Sequence, residues 1–172
     1  MIAVLDACVL VPLVTRRLLL AAARLGHLQP VWSARILGEW ERAAGRHGAA
    51  DAALARLEAE ALARDFPRAM IAPQALPGLM LPDPADGHVV ETCVAAGAAF
   101  LVTRNRRDFP RATLARYGIS RLDPDQLLAR LAAADARLAL EARALALGLS
   151  PGTAPAGFLK RAGLPHLARR IG

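Results

Sequence analysis

Two acidic residues in this chain stand where a carboxylate needs an answering partner. Asp6 directly follows the apolar run Ile2, Ala3, Val4, Leu5 and precedes a second one, Ala7, Cys8, Val9, Leu10. A carboxylate so placed sits in a crevice and requires a hydrogen-bonded or metallic partner. Asp86 ends Asp83-Pro84-Ala85-Asp86, which reads first as a helix start, with Asp83 as N-cap, Pro84 in the first turn and Asp86 at the capping-box position. The two roles are compatible, because a helix N-terminus favours the charged carboxylate and a divalent cation needs that form. Glu39 and Glu41 each lie about 100° from the centre of their helix's apolar face, so periodicity leaves the choice between them open. Carboxylates that converge on one crevice repel one another, and one or two hard cations relieve that repulsion. Oxygen ligands suit Mg2+ or Mn2+.

The run Thr103-Arg104-Asn105-Arg106-Arg107-Asp108-Phe109-Pro110 mixes a hydroxyl, an amide, arginines and an acid. It can be a plain polar strand-to-helix loop. It can also be functional, with Thr103 and Asn105 orienting a metal-bound water or a phosphate. Arg104, Arg106, Arg107 and the nearby Arg111 would then grip a nucleic-acid backbone. The net charge of +7 fits that reading, since guanidinium groups match phosphate oxygens. Every basic residue but Lys160 is arginine, so a codon bias would give the same composition. Of the four histidines, only His88 lies near the acids. Cys8 and Cys93 both fall in apolar segments and read as free thiols of a reducing cytosol. No Cys/His spacing suggests zinc.

These groups need elements to position them. At 172 residues, 55% apolar and 22% charged, the chain is expected to be one globular domain. No apolar run approaches the ~18 residues of a membrane span. The N-terminal MIAVLDACVLVPLV lacks a basic leader and carries an acid in its middle, so it reads as a first buried strand rather than an export signal. Continuous apolar runs predict buried strands over Ile2–Leu5 and Ala99–Thr103. A briefer strand is expected within Tyr117–Leu122, and short ones near Met70–Ala72 and Leu79–Leu81. Helices are expected from Thr15 to Leu25 with Gly26 as left-handed cap, and from Ser33 to about Ala44. Others run from Asp51 to Arg64 with Leu54, Leu57 and Ala61 inward, from Asp83-Pro84 to Ala96, and from Pro124 to Leu147, closed by Gly148. The boundaries expected are 1–148 for the domain and 149–172 for a tail with a short helix around Phe158–Ala162. Strands alternating with helices predict a single-domain, three-layer α/β/α fold with a central, mostly parallel sheet. Reactive groups in such folds gather beyond the carboxyl ends of the strands, where Asp6 and Thr103 fall.

Together LDACVLVP, WSARILGEWER, DPADGHVVETCVAAGA and FLVTRNRRDFP resemble the PIN-domain family, the ribonuclease fold of bacterial VapC-type toxins, over roughly residues 1–125. The resemblance implies that Asp6, Glu39 rather than Glu41, and Asp86 rather than Asp83 are the catalytic, metal-holding acids. Many relatives carry a fourth acid where this chain has Asn105, so Asn105, Asp108 or Asp83 is left to complete the site. Cys8 also departs from the family's usual Asn or Ser. The resemblance further implies Mg2+ or Mn2+, hydrolysis of RNA phosphodiester bonds, a small cognate antitoxin, a homodimer and a cytoplasmic location.

Two rivals differ in class. A phosphatase with an aspartyl nucleophile, of the haloacid-dehalogenase type, needs a second Asp two residues after the first, and Cys8 stands there. A non-catalytic nucleic-acid-binding or protein-interaction module on the same fold would tolerate Cys8 and Asn105. No Gly-rich phosphate loop follows the first strand, which argues against nucleotide-binding folds.

Overall fold

A computed structural model describes residues 1–172. The chain gathers into two compact units, one of residues 1–11 and 29–121, the other of residues 12–28 and 122–172.

The first unit holds the sheet. Strand β1 (Ile2–Leu5) is flanked by β2 (Gln29–Val31) and β3 (Phe100–Val102), and β4 (Ser120–Leu122) lies outside β3, giving the order β2-β1-β3-β4. Both neighbours of β1 run parallel to it, with Val4 opposite Val31 on one side and Leu101 on the other. The central strand is covered on both faces, since Ala3, Val4 and Leu5 are wholly buried, which is why it reads as an unbroken apolar run. Of the short strands expected in the proline-rich connection, Met70 makes a single bridge to Trp32 and Leu79–Leu81 forms none.

Directly after Asp6, where the expected strand ends, the chain enters a one-turn helix, α1 (Ala7–Leu10). Helix α3 (Ala34–Gly45) starts at Ser33, whose hydroxyl accepts from the Ile36 amide as its N-cap. Its face of Ile36, Leu37, Trp40 and Ala43 is buried. Helix α4 (Ala49–Asp65) packs on α3 through Ala55 and Leu62, whereas Leu54 and Leu57 are more than half exposed. The face expected from Leu54, Leu57 and Ala61 is therefore rotated: small Ala55 allows close approach to α3 and the larger leucines turn outward. Trp32 meets Phe66 edge-on, ring centres 6.1 Å apart. A 3-10 turn, Pro84–Asp86, leads into α5 (Gly87–Ala95), which packs against β1 through its buried Val89, Val90 and Cys93. Gly97, at φ +60°, turns the chain from α5 towards β3 in a conformation that L residues avoid. Helix α6 (Arg111–Ala115) precedes β4.

The second unit is helical. Helix α2 (Leu13–Arg24) ends at Gly26, whose φ of +85° makes the left-handed cap expected there, while its start is at Pro12 rather than Thr15, which lies buried inside the helix. The long helix expected from Pro124 is two helices, α7 (Pro124–Ala134) and α8 (Ala136–Leu149). Asp135 separates them: its backbone is extended and its carboxylate accepts from the Arg137 amide at 2.9 Å, a cap that starts a new helix. The same carboxylate lies 2.9 Å from His27 Nε2. Gly148 lies inside α8 and ends nothing. Two helices, α9 (Pro155–Arg161) and α10 (Pro165–Ile171), stand where one short helix was expected. Buried Asp125 of α7 caps α10 in trans, accepting from the His166 and Leu167 amides at 2.8 and 2.9 Å and from His166 Nδ1 at 2.7 Å. No helix is long and apolar enough to cross a membrane.

Candidate functional site

All the acids and arginines singled out from the sequence fall within the first unit. Strand β1 delivers Asp6 to its carboxyl end, where the Asp6 amide donates to Val102 O of β3 at 3.2 Å. That bond sets the ends of the two strands side by side and puts Thr103 next to Asp6. Thr103 Oγ1 donates to Asp6 Oδ2 at 2.6 Å, and Cys8 Sγ, turned back by α1, approaches the same oxygen at 2.9 Å. The sulfur in turn accepts from the Arg104 amide at 3.3 Å. Asp6 is 6% exposed, and these donors are what make burying it tolerable. Burial, then the Asp6 charge, push the Cys8 thiol up to about 12. Cys8 is therefore a neutral donor to Asp6 and a poor nucleophile. Both thiols are free.

Asp86 lies at the junction of the 3-10 turn and α5. Asp83 is the cap, its Oδ1 accepting from the Ala85 amide at 2.8 Å, while Asp86 makes no side-chain cap. The capping-box position is thus left free for another use. Asn105 Nδ2 donates to Asp86 Oδ2 at 3.1 Å. Asn105 is itself held at both ends, its amide donating to Thr103 Oγ1 at 2.9 Å and its Oδ1 accepting from the Asp108 amide at 3.2 Å. Asp86 is raised to about 6, first by burial and then by the charges of Asp6, Asp83, Asp108 and Glu39. Five carboxylates from four separate stretches of sequence therefore share one electrostatic neighbourhood.

Glu39 is half-buried on α3, 3.5 Å from Arg35 Nε one turn earlier and 2.9 Å from His88 Nε2. Arg35 also donates to Ala85 O at 2.7 Å, so it ties α3 to the turn that carries Asp86. His88 is 5% exposed. Its Nε2 meets Glu39 at an angle too poor for a straight hydrogen bond, and its Nδ1 has no partner. Burial lowers its pKa and the Glu39 charge opposes that shift. Arg35 is the residue that the sequence reading left out, and His88 was noted there only as the histidine near the acids. The i, i+4 spacing of Arg35 to Glu39 was a usable signal, whereas nothing along the chain placed His88 against α3.

Arg104, Arg106, Arg107 and Arg111 are exposed, and the Arg104 amide joins the acidic network through Cys8 Sγ. Arg121 was not expected at all. Its NH1 donates to the carbonyls of Arg106 and Phe109, both at 2.7 Å, and so braces the loop.

The donor set is all hard oxygen, and Asp86 carries repulsion that a cation would relieve, so the residues fit a hard divalent ion. No three His, Cys, Asp or Glu side chains are drawn together into a preformed cage.

A strand-end aspartate, a helix-start aspartate and a polar loop after the third strand, on a parallel α/β sheet, define the class of protein. The PIN-domain family model matches residues 3–107, more than half of the chain, and includes Asp6, Glu39, Asp83 and Asp86. The chain belongs to the PIN-domain family, and its three-layer α/β/α fold with a parallel central sheet is the one expected. PIN domains are generally nucleases and typically use divalent metal ions. No curated protein and no solved structure gives a significant match.

Proposed function

We propose that this chain is a metal-dependent endoribonuclease, the toxin component of a toxin–antitoxin pair, acting in the cytoplasm. The observation that carries the reading is the raised Asp86 carboxyl: Asp6, Asp83, Asp108 and Glu39 all act on it, and all of these but Asp108 lie inside the segment matched to the family. Carboxyls raised by neighbouring acids cluster at functional sites.

Asp6, Glu39 and Asp86 would hold Mg2+ or Mn2+, with Asp108, Asp83 or Asn105 completing the set. When bound, the cation supplies Lewis-acid chemistry, acidifying water and offsetting charge at the phosphoryl oxygens. The chain's own residues do the rest. Thr103 and Cys8 hold Asp6 in one orientation, and Asn105 aligns Asp86. Arg104, Arg106, Arg107 and Arg111 hold flanking phosphates of the RNA. A small antitoxin and a second copy of the chain are the partners proposed.

The test is cleavage of RNA in Mn2+ by contaminant-free wild type, Asp6→Asn and Asp86→Ala. Loss in both variants, with RNA binding retained, supports the assignment, and full activity in either removes that residue from it. The second reading, a non-catalytic RNA-binding module, is favoured by the absence of a preformed cage. Calorimetry separates the two, because carboxylate-dependent Mn2+ binding belongs only to the nuclease.

A further inference from the structure

Away from the acids, the first unit has a cavity of about 330 Å³ lined by Arg111, Ala115, Ile119, Ser120 and Arg121. Its chemistry is one-sided, since two guanidinium groups and a hydroxyl line it and no carboxylate does. Ala115 and the buried Ile119 give it an apolar floor. Neither arginine is paired with an acid. The Arg111 side chain makes no hydrogen bond or ion pair within the chain, and Arg121 spends only NH1, on two carbonyls. Burial, then repulsion from Arg111 and Arg106, lowers the Arg121 pKa, so the guanidinium groups crowd one another without an anion between them. The arginine that lines this cavity braces Arg106 O, and Arg106 follows Asn105, which bonds Asp86. One loop thus links the cavity to the acidic crevice.

We infer that the cavity between α6 and β4 is a phosphate subsite, in which Arg111, Arg121 and Ser120 hold a backbone phosphate of a single-stranded RNA flanking the one that is cut. Paired guanidinium forks match the phosphate oxygens, and the apolar floor accepts the attached sugar. The inference rests on the ribonuclease reading and adds a subsite to it.

The test is fluorescence anisotropy of a labelled single-stranded oligoribonucleotide in EDTA, over a series of salt concentrations. Arg111→Ala should weaken binding about tenfold, as for loss of one charge-assisted contact, and lower the salt slope by about 0.7. Arg116→Ala, at the opposite end of the same helix and outside the cavity lining, should change neither. Equal effects of the two variants, or none from Arg111→Ala, overturn the inference in favour of a diffuse basic field. A second arm titrates inorganic phosphate alone. Arg111-dependent binding of phosphate without an Arg111 effect on the oligoribonucleotide makes this a free-anion site and overturns the strand assignment. Arg111 has no intrachain bonds to lose, and an unchanged melting temperature confirms that the variant is folded. The binding arm needs no metal, whereas the nuclease reading stands or falls on Mn2+-dependent cleavage, so the two can fail separately.

Discussion

Asn105 Nδ2 donates to Asp86 Oδ2 at 3.1 Å, so an uncharged amide faces the most strongly perturbed carboxyl of the crevice. The chain thereby has one negative charge fewer than an acid at that position would give. Asn105→Asp should replace a donor with a repelling charge. The metal-free protein is expected to lose about 1–2 kcal/mol, a fall of roughly 2–8 °C in melting temperature for a chain of this size. Mn2+ should restore most of it. Thermal melts with and without Mn2+ check this, and an unchanged metal-free melt would mean that the added carboxylate is already screened.

The pH dependence of the metal-free protein follows from Asp86. Its carboxyl is raised to about 6 in the fold against an ordinary 3.8, so the folded state binds the proton more tightly than the unfolded one. The resulting stability is complete below about pH 4 and is lost as pH rises through about 6. The carboxyl is partly open to solvent, so about 1 kcal/mol is the expected size after screening. Asp86→Asn should remove this contribution, which the difference between the two stability–pH curves would reveal. Protons and cation also compete for Asp86, so Mn2+ affinity should weaken below about pH 6.

Thr103 donates the shortest bond to the buried Asp6. Thr103→Val keeps the shape and removes the donor. A buried charge losing such a bond costs about 1.5–3 kcal/mol, and the carboxylate should also drift, lowering any Mn2+-dependent cleavage. If chemical denaturation shows no loss, Cys8 alone is enough to hold Asp6.

His88→Leu separates support from stability. The imidazole has an unpartnered buried nitrogen, so an apolar replacement should leave the midpoint of unfolding within about 1 kcal/mol. Glu39 would lose the group 2.9 Å away. Cleavage should fall about tenfold, with RNA affinity unchanged, and a fall in affinity instead would give His88 a different role.

Much of this was open to reading along the chain. Asp6 could be placed because an apolar run on both sides of an acid is unusual, and the Ser33 cap because hydroxyl caps act locally. The split at Asp135 was missed, since the leucines of α7 and α8 keep helical spacing across it and only the side-chain cap ends the first helix. The face of α4 was also misjudged. Leucines outweigh alanines in any hydrophobic pattern, yet close packing on α3 selected Ala55. Leu62→Ala should therefore cost about 2–5 kcal/mol, and Leu57→Ser less than about 0.5 kcal/mol. Arg121 and the approach of His88 to Glu39 escaped because their partners lie on other elements, and distance along the chain carries no record of that.

Asp6 is held from two directions, by Thr103 across the sheet and by Cys8 from the turn that follows. Its side chain consequently has one rotamer to offer, fixed when the protein folds and not when something docks. An incoming ion meets a donor with no torsional freedom left to surrender, so the entropic toll of ordering that carboxylate is absent from the binding step.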